Sequence, residues 1–510
     1  MPAFLPRPGL PLAVFSTHAL APLDYVMLVL YFAVNLAIGW WSSRHKLKTS
    51  RSYFLGSRHV AWWVTAISYF ATGVSSISFM GIPAKTFAGD WMTFGSGPAQ
   101  ALAGMGTGII FVGVLRRLNM TTVFDYLERR FDRRVRLLGA GLAVLLKVGG
   151  RMSIIMLLPA LALATVTGLN VYLSILVMGT VTTVYAMEGG FEAVVLTDVL
   201  QACVMVGSAV IALCYIAHHV DGGFAAMFTQ AHEAGKLHLV SLEPDITTPT
   251  VWVYLGMFLA TIFIQVSDQP LMQRMFAAKD ERTARLTVVM GNFLVLTAGS
   301  IFFVVGTALW VFYQNHPDRL VAGTPGDKIF PYFIVNELPP GLVGVIIAGL
   351  CAAAMGALSS ALNATAAIVV NDFYRERDGV ESQPRRLRFA RLSTLAGGLI
   401  ATGMAAFLAW RNVGSLWDEF LRFQALLGGT FPGVFALGLL TRRANVPGVF
   451  TGVGCSLLLT WWVQYHTATS VFFHAFIAIS SCIVTGYLAS LVFARGAGRK
   501  NLQGLTLWTI

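Results

Sequence analysis

The chain has 510 residues, 56% of them hydrophobic and only 12% charged, with a mean hydropathy of +0.68. Soluble domains carry about twice that charge fraction, so a soluble enzyme or regulator is excluded and an integral membrane protein is implied. The formal charge of +12 does not point to nucleic acid, because its positions follow membrane topology.

Residues 1–22 are Pro-rich with a short apolar run and no strong basic start, which reads as an extracellular tail rather than a cleaved signal peptide. Apolar stretches long enough to cross a ~30 Å hydrocarbon layer begin near residues 25, 61, 98, 138, 170, 193, 252, 286, 332, 390, 416, 446 and 470. About thirteen spans are therefore predicted within one transporter-sized domain, residues 23–495, followed by a tail over 496–510. The loop after the first span carries Arg44, Lys46, Lys48, Arg51 and Arg58, and the loop after the third carries seven arginines between Arg116 and Arg136. Every second loop repeats this enrichment, with roughly 27 basic residues on one side against roughly 7 on the other. The positive-inside bias then sets the amino terminus outside and the carboxyl terminus in the cytoplasm of a plasma or bacterial inner membrane. The longest external loop, His218 to Thr250, is polar and slightly acidic. The five cysteines (Cys203, Cys214, Cys351, Cys455, Cys482) lie in apolar segments without metal-ligand spacing, and the ten histidines form no HExxH-type cluster.

Function is expected where polarity intrudes into the membrane, since an ionisable group at bilayer depth costs about 2.5–3.5 kcal/mol or more and needs a partner, a wet cavity or a role. In "SYFATGVSSISFMGIPAKTFAGDW" (Ser68 to Trp91), Thr72, Gly73, Ser75, Ser76 and Ser78 interrupt the second span near its middle. Glycine and serine weaken the helix there, and a break would free carbonyls for ligands. Close helix packing by small residues is the competing reading. In "LLKVGGRMSIIMLLPALALATVTG" (Leu145 to Gly168), Lys147 and Arg151 share a helix face. Lys147 is expected to snorkel toward the cytoplasm, whereas the deeper Arg151 suits a ligand carboxylate or, alternatively, a structural ion pair with an acid elsewhere. Asp198, in "MEGGFEAVVLTDVLQ" (Met187 to Gln201), is a carboxylate inside a span. Ser359 and Ser360, in "MGALSSALNATAAIVVNDFYR" (Met355 to Arg375), supply adjacent hydroxyls. Small hard cations want several oxygens, so these serines and Asp198 form a candidate cation site. Back-bonding of a serine to the preceding turn is the alternative, and consecutive serines point apart, so it need claim only one. Asp268, Gln269 and Gln273, near a span end, fit a gate or loop lock, or equally a helix-end cap. No nucleophile, base and oxyanion-hole set can be assembled, so the chain is not read as an enzyme.

At these residues the chain resembles the sodium:solute symporter family. The resemblance runs through "YFLGSRHVAWW", "RMSIIMLLPALALATVTGLNVY", "MEGGFEAVVLTDVLQ", "VSDQPLMQRMFAAKD" and "AAAMGALSSALNATAAIVVNDFYR". It is closest to the bacterial sialic-acid-like branch, through "SSISFMGIPAKTFAGDW" and the Arg151 segment. It implies an all-α LeuT-type fold of two inverted five-helix repeats, with one leading and two trailing helices, working by alternating access around a midplane site. It implies sodium as the coupling ion, no organic cofactor, and symport of a small organic anion or acidic sugar.

Carried over residue by residue, the family's principal sodium site matches carbonyls of Ala71, Val74 and Ala353. Its two hydroxyl positions fall on Gly356 and Ala357, which have none. The second sodium site matches Asp198, Ser359 and Ser360, with a third oxygen again falling on Gly356. Losing two of about five oxygens would leave a buried cation undercoordinated unless water entered. Sodium at Asp198 is the favoured expectation, beside a proton on Asp198 or uncoupled facilitation. The implied substrate residues are Ser75, Ser78 and Arg151. Gly73 replaces a branch threonine, with Thr72 as its substitute, and Gly97 stands at the place of a branch glutamine, with Gln100 nearby. A neutral sugar or polyol transporter and a non-transporting substrate sensor remain the alternatives. The partners implied are the solute and the lipid bilayer, without nucleic acid.

Overall fold

A computed structural model describes residues 20–43, 49–56, 60–321, 323–374, 383–411, 424, 427–493 and 502–509. Among the described residues the only β structure is an isolated bridge between Ser241 and Thr250. With no water in hydrocarbon to satisfy backbone groups, an all-helical bundle is the expected solution.

The leading helix α1 (Pro22–Ser43) turns Val26, Val29, Leu30 and Trp40 outward, a lipid-facing apolar surface. A short helix α2 (Ser50–Leu55) is closed by a Thr49/Ser52 capping box. The first five-helix half follows. It opens with α3 (Trp62–Gly73) and α4 (Ser76–Ala88), which meet at 58°. It continues through α5 (Ser96–Ile110), α6 (Val112–Arg117) and the short α7 (Phe124–Arg130). A π turn, Lys147–Arg151, then joins α8 (Arg133–Leu146) to α9 (Met152–Thr167). The 48-residue α10 (Val171–His218) contains two spans, because Gly190 leaves helical geometry at φ 57°, ψ −146°. After the loop helix α11 (Gly223–Glu233), the second half opens on another broken pair, α12 (Val251–Ser267) and α13 (Gln269–Ala277), bent by 60°. It proceeds through α14 (Glu281–Asn315), the short α15 (Gly326–Asn336), α16 (Leu342–Ile368), α17 (Gln383–Trp410) and α18 (Thr430–Leu440). The trailing helices are α19 (Val446–His466) and α20 (Val471–Val492).

Among the described residues, eight helices are long and apolar enough to span by themselves, and ten when each bent pair counts as one. The α10 helix divides at Gly190, α5 and α6 lie where a span is expected near 98, and the start of the span expected near 416 lies outside the described residues, with α18 following it. One expectation needs adjustment. The span placed near 332 begins at Leu342, because α15 is a separate 11-residue helix and the chain turns at Gly341 with φ 93°. The carboxyl tail is not free: Leu507 donates its N–H to Leu439, and the Leu505 carbonyl accepts from the Tyr126 hydroxyl at 3.0 Å. Arg44, Lys46, Lys48 and Arg58, and nearly all of the amino-terminal tail, lie outside the described residues.

The interior belongs to α16, whose most apolar window is 89% buried. Small residues make this possible; a β-carbon on Gly349 would lie 1.9 Å from the Ser208 hydroxyl of α10. Its amino-terminal end is capped from α1, where Asp24 accepts the N–H groups of Gly341 and Gly344 at 2.7 and 2.8 Å.

At Gly190 the positive φ is enforced by packing, since a β-carbon there would approach the Tyr53 carbonyl to 2.7 Å. Gly190→Ala should therefore cost about 1–3 kcal/mol from the backbone alone. Gly207→Ala, in the same helix with no atom within 4 Å of the added carbon, should be neutral. Thermal unfolding of the purified protein in detergent compares the two, and equal melting temperatures would refute the constraint.

Candidate functional site

The break between α3 and α4 positions both parts of the site. Val74 (φ −102°, ψ 133°) and Ser75 (φ −129°, ψ 175°) are extended, so the helix stops at Gly73 and restarts at Ser76. Ser76 anchors the restart by donating to the Ile155 carbonyl of α9 at 2.7 Å. Ala71, Val74 and Ala353 are all buried, and Ala71 directs its carbonyl toward Gly356 of α16.

On one side of the break lies a cavity of about 510 Å³, within the range of small-molecule sites. Gly73, Ser75, Ser78, Gly97, Gln100 and Arg151 all line it, and so does Val74, which the resemblance assigned to the principal sodium site. Thr72 does not. Its hydroxyl donates to the Ser68 carbonyl at 2.8 Å and meets Ser360 Oγ at 3.0 Å, so it cannot replace the missing threonine at Gly73. The reason is rotational: neighbouring helical residues diverge by about 100°, so Thr72 and Gly73 face different partners.

Asp268 lines the same cavity, at the break between α12 and α13. Its carboxylate takes Arg151 Nη1 on one oxygen and Lys147 Nζ on the other, each at 3.4 Å. Lys147 is thus a buried partner of Asp268 and does not snorkel. Arg151 has the ion pair that was its alternative reading while still facing the cavity. Two cations share one anion, with Arg151 and Asp268 in the cavity lining and Lys147 buried behind them. Gln269 and Gln273 act as ties: the first accepts from Val123 N–H at 2.8 Å and donates to the Thr121 carbonyl, the second donates to the Phe54 carbonyl and to Asn363. Sequence reasoning missed a further polar wall, where Tyr69 donates to Gln265 at 2.7 Å and Gln265 donates to Asn292 at 2.9 Å. No charge marks these residues, and their helices come together only in three dimensions.

On the other side of the break, Asp198 and Ser360 are drawn together by Arg274, which sequence reasoning left among the basic residues at a span end. The 60° bend turns Arg274 back into the protein, where it is 1% exposed. Its Nη2 donates to Asp198 Oδ2 at 3.0 Å and to Ser360 Oγ at 2.5 Å, its Nε to Ser68 Oγ at 3.0 Å, and its Nη1 to the Pro270 carbonyl at 2.7 Å. Ser68 in turn donates to Asp198 Oδ2 at 2.5 Å. Ser359 turns away, donating to the Gly356 carbonyl at 3.2 Å. Gly356 and Ala357 contribute no side-chain oxygen.

The chain matches the sodium:solute symporter family over residues 53–455. It belongs to that family. It is 31% identical to the sodium/sialic acid symporter NanT of Aliivibrio fischeri, over 96% of this chain and 97% of the relative. It superimposes on a Na+-coupled sialic acid symporter, solved in a substrate-bound outward-open state, with a TM-score of 0.86 and 31% identity, covering 93% of this chain and 98% of the other. Mhp1, a transporter of the nucleobase-cation-symport-1 family, matches at a TM-score of 0.60 and 13% identity, covering 88% and 97%, which extends the fold alone. The protein is thus a cation-coupled symporter of LeuT-type architecture, spanning the membrane several times, and not an enzyme.

Removing one member of a buried ion pair typically costs about 3–5 kcal/mol, because the other charge is left uncompensated. Arg274→Leu and Asp198→Leu should each destabilise the purified protein by that order. The double variant should lose less than either alone would suggest by addition. Chemical unfolding in detergent measures the coupling, and strictly additive losses would show that the pair does not hold the site together.

Proposed function

We propose that this symporter moves an acidic sugar of the sialic acid class together with sodium. The observation that carries the substrate reading is Arg151, which lines the cavity beside Ser75 and Ser78 and, with the buried Lys147 behind it, shares a single anion, Asp268. A carboxylate arriving there completes the charge balance, and the planar Arg151 fork has donors beyond the one given to Asp268. The substrate of the relative NanT supports the same class. Ser75 and Ser78 would receive the sugar's polar groups, while Gly73 widens the site where a larger residue would stand.

The sodium reading rests on Asp198, with Ser360 as the hydroxyl beside it and the carbonyls of Ala71, Val74 and Ala353 as a second, weakened set; Ser359, bonded back to the Gly356 carbonyl, is left out of it. Arg274 pairs with Oδ2 and leaves Oδ1 without a hydrogen-bond partner among the described residues. The amino terminus is assigned to the outside and the carboxyl terminus to the cytoplasm of the cell membrane, on the strength of the basic loops around Arg116 and Arg133.

Two measurements test the proposal. In proteoliposomes, an inward sodium gradient should drive accumulation of the acid sugar; accumulation under a pH gradient alone would remove sodium from the mechanism. In binding assays, esterifying the substrate carboxyl should weaken affinity by about 10- to 100-fold, the worth of a charge-assisted hydrogen bond. Arg151→Gln should abolish that discrimination; equal loss of acid and ester binding in this variant would assign Arg151 a structural role.

A further inference from the structure

Gln201 lies one turn after Asp198 on α10, with 1% of its surface exposed. Its orientation is fixed by a chain of hydrogen bonds. Asn35 on α1 donates Nδ2 to the Tyr31 carbonyl at 2.9 Å, an acceptor that cannot tolerate the amide oxygen, so Asn35 presents Oδ1 to Gln201. Gln201 Nε2 donates to that Oδ1 at 2.9 Å and to the Tyr185 hydroxyl at 3.2 Å. Its Oε1 is thereby turned toward α16. There, a β-carbon built on Gly356 would lie 2.9 Å from Gln201 Oε1, 3.5 Å from the Ala71 carbonyl oxygen and 3.5 Å from Asp198 Oδ1. Neither Gln201 Oε1 nor Asp198 Oδ1 has a hydrogen-bond partner among the described residues.

Three oxygens, from an amide, a carbonyl and a carboxylate, thus converge on one point next to Gly356. Gathering acceptors with no donor at full burial is costly, unless a cation or a water-borne donor is meant to stand between them. Oxygen ligands of this mixed kind suit a small hard cation. We infer that Gln201 Oε1 is a direct ligand of the transported sodium, shared with Asp198 Oδ1 and the Ala71 carbonyl, and that Gly356 is glycine to leave room for that amide oxygen. The arrangement compensates on α10 for oxygen that α16 lacks at 356 and 357. It divides the carboxylate of Asp198: Oδ2 is held by Ser68 and Arg274, and Oδ1 faces the ion. The inference rests on sodium binding at Asp198.

The test uses the full-length protein in detergent, without substrate, at constant ionic strength set with choline chloride. The readout is the sodium concentration giving half-maximal thermal stabilisation. Gln201→Met keeps the volume and removes the oxygen, and should raise that concentration about tenfold or more. Gly356→Ser alone should also weaken sodium binding, because its β-carbon crowds the amide. Gln201→Ala combined with Gly356→Ser should return to within about threefold of the unmodified protein, since the serine hydroxyl then supplies the oxygen in the space released. Stabilisation by the acid sugar at saturating sodium serves as the folding check, and Gln201→Glu, which retains an oxygen, should bind sodium even if Gln201→Met unfolds. A normal sodium response in Gln201→Met overturns the assignment and leaves Asp198 intact as a site. A combined variant no better than Gln201→Ala alone also overturns it. An unmodified protein that ignores sodium overturns both this inference and the sodium reading of Asp198.

Discussion

The buried pair of Asp198 and Arg274 is the constraint on which the rest of the architecture depends. Each charge alone would be intolerable at its depth, with 0% and 1% of the respective residues exposed. The guanidinium satisfies its carboxylate while also binding Ser68 and Ser360, so four segments, α3, α10, α13 and α16, meet at one planar group. Two of those segments belong to the broken pairs that open the halves. The pair is therefore less a contributor of net stability than a device for registering one half against the other, since a hydrophobic replacement could fill the same volume without fixing directions.

Much of this was legible before any coordinates. Hydropathy alone establishes a membrane bundle, and the glycine and serines from Gly73 to Ser78 mark the break that α3 and α4 display. Asp198 and Ser360 were singled out because polarity inside a span is conspicuous, and they do meet, through Arg274. The divergence of Ser359 from Ser360 also followed from helix geometry. What stayed hidden was set by tertiary direction. Arg274 reads as one more basic residue near a loop until the bend after Ser267 folds it inward. Thr72 and Gly73 differ by one position, yet only the latter reaches the cavity. Gln265, Asn292 and Gln201 carry little signal in one dimension, because their importance lies in partners from other helices.

The two sides of the site share electrostatic logic despite their different tasks. At the cavity, Lys147 and Arg151 outnumber Asp268, so the wall is short of negative charge. Across the break, the charges of Asp198 and Arg274 balance, but one carboxylate oxygen is covered by donors while the other faces only acceptors, so that locus is short of a donor or cation. Burial amplifies both imbalances, because a low dielectric makes an unpaired group expensive. A wall short of an anion and a locus short of a donor or cation suit the joint entry of an anion and a cation better than the entry of either alone.

The short α3–α4 break connects these loci mechanically. Ser68 and Thr72 lie one helical turn apart and look toward Arg274 and Ser360; Ala71 directs its carbonyl toward Gly356; and Gly73, Val74, Ser75, Ile77 and Ser78 face the cavity. Fewer than a dozen residues thus carry both sets of contacts, and Val74 and Ser75 are the extended links between them. A cation that draws the Ala71 carbonyl inward restricts the φ and ψ choices of those links, and so the placement of Ser75 and Ser78 before a substrate arrives. A substrate held at the same serines, as proposed, would exert the reciprocal restriction on the carbonyl. Linkage requires the two effects to be equal in free energy, typically about 1–3 kcal/mol for coupled sites. Coupling in this chain then needs no long pathway: one interrupted helix turn is shared by both ligands.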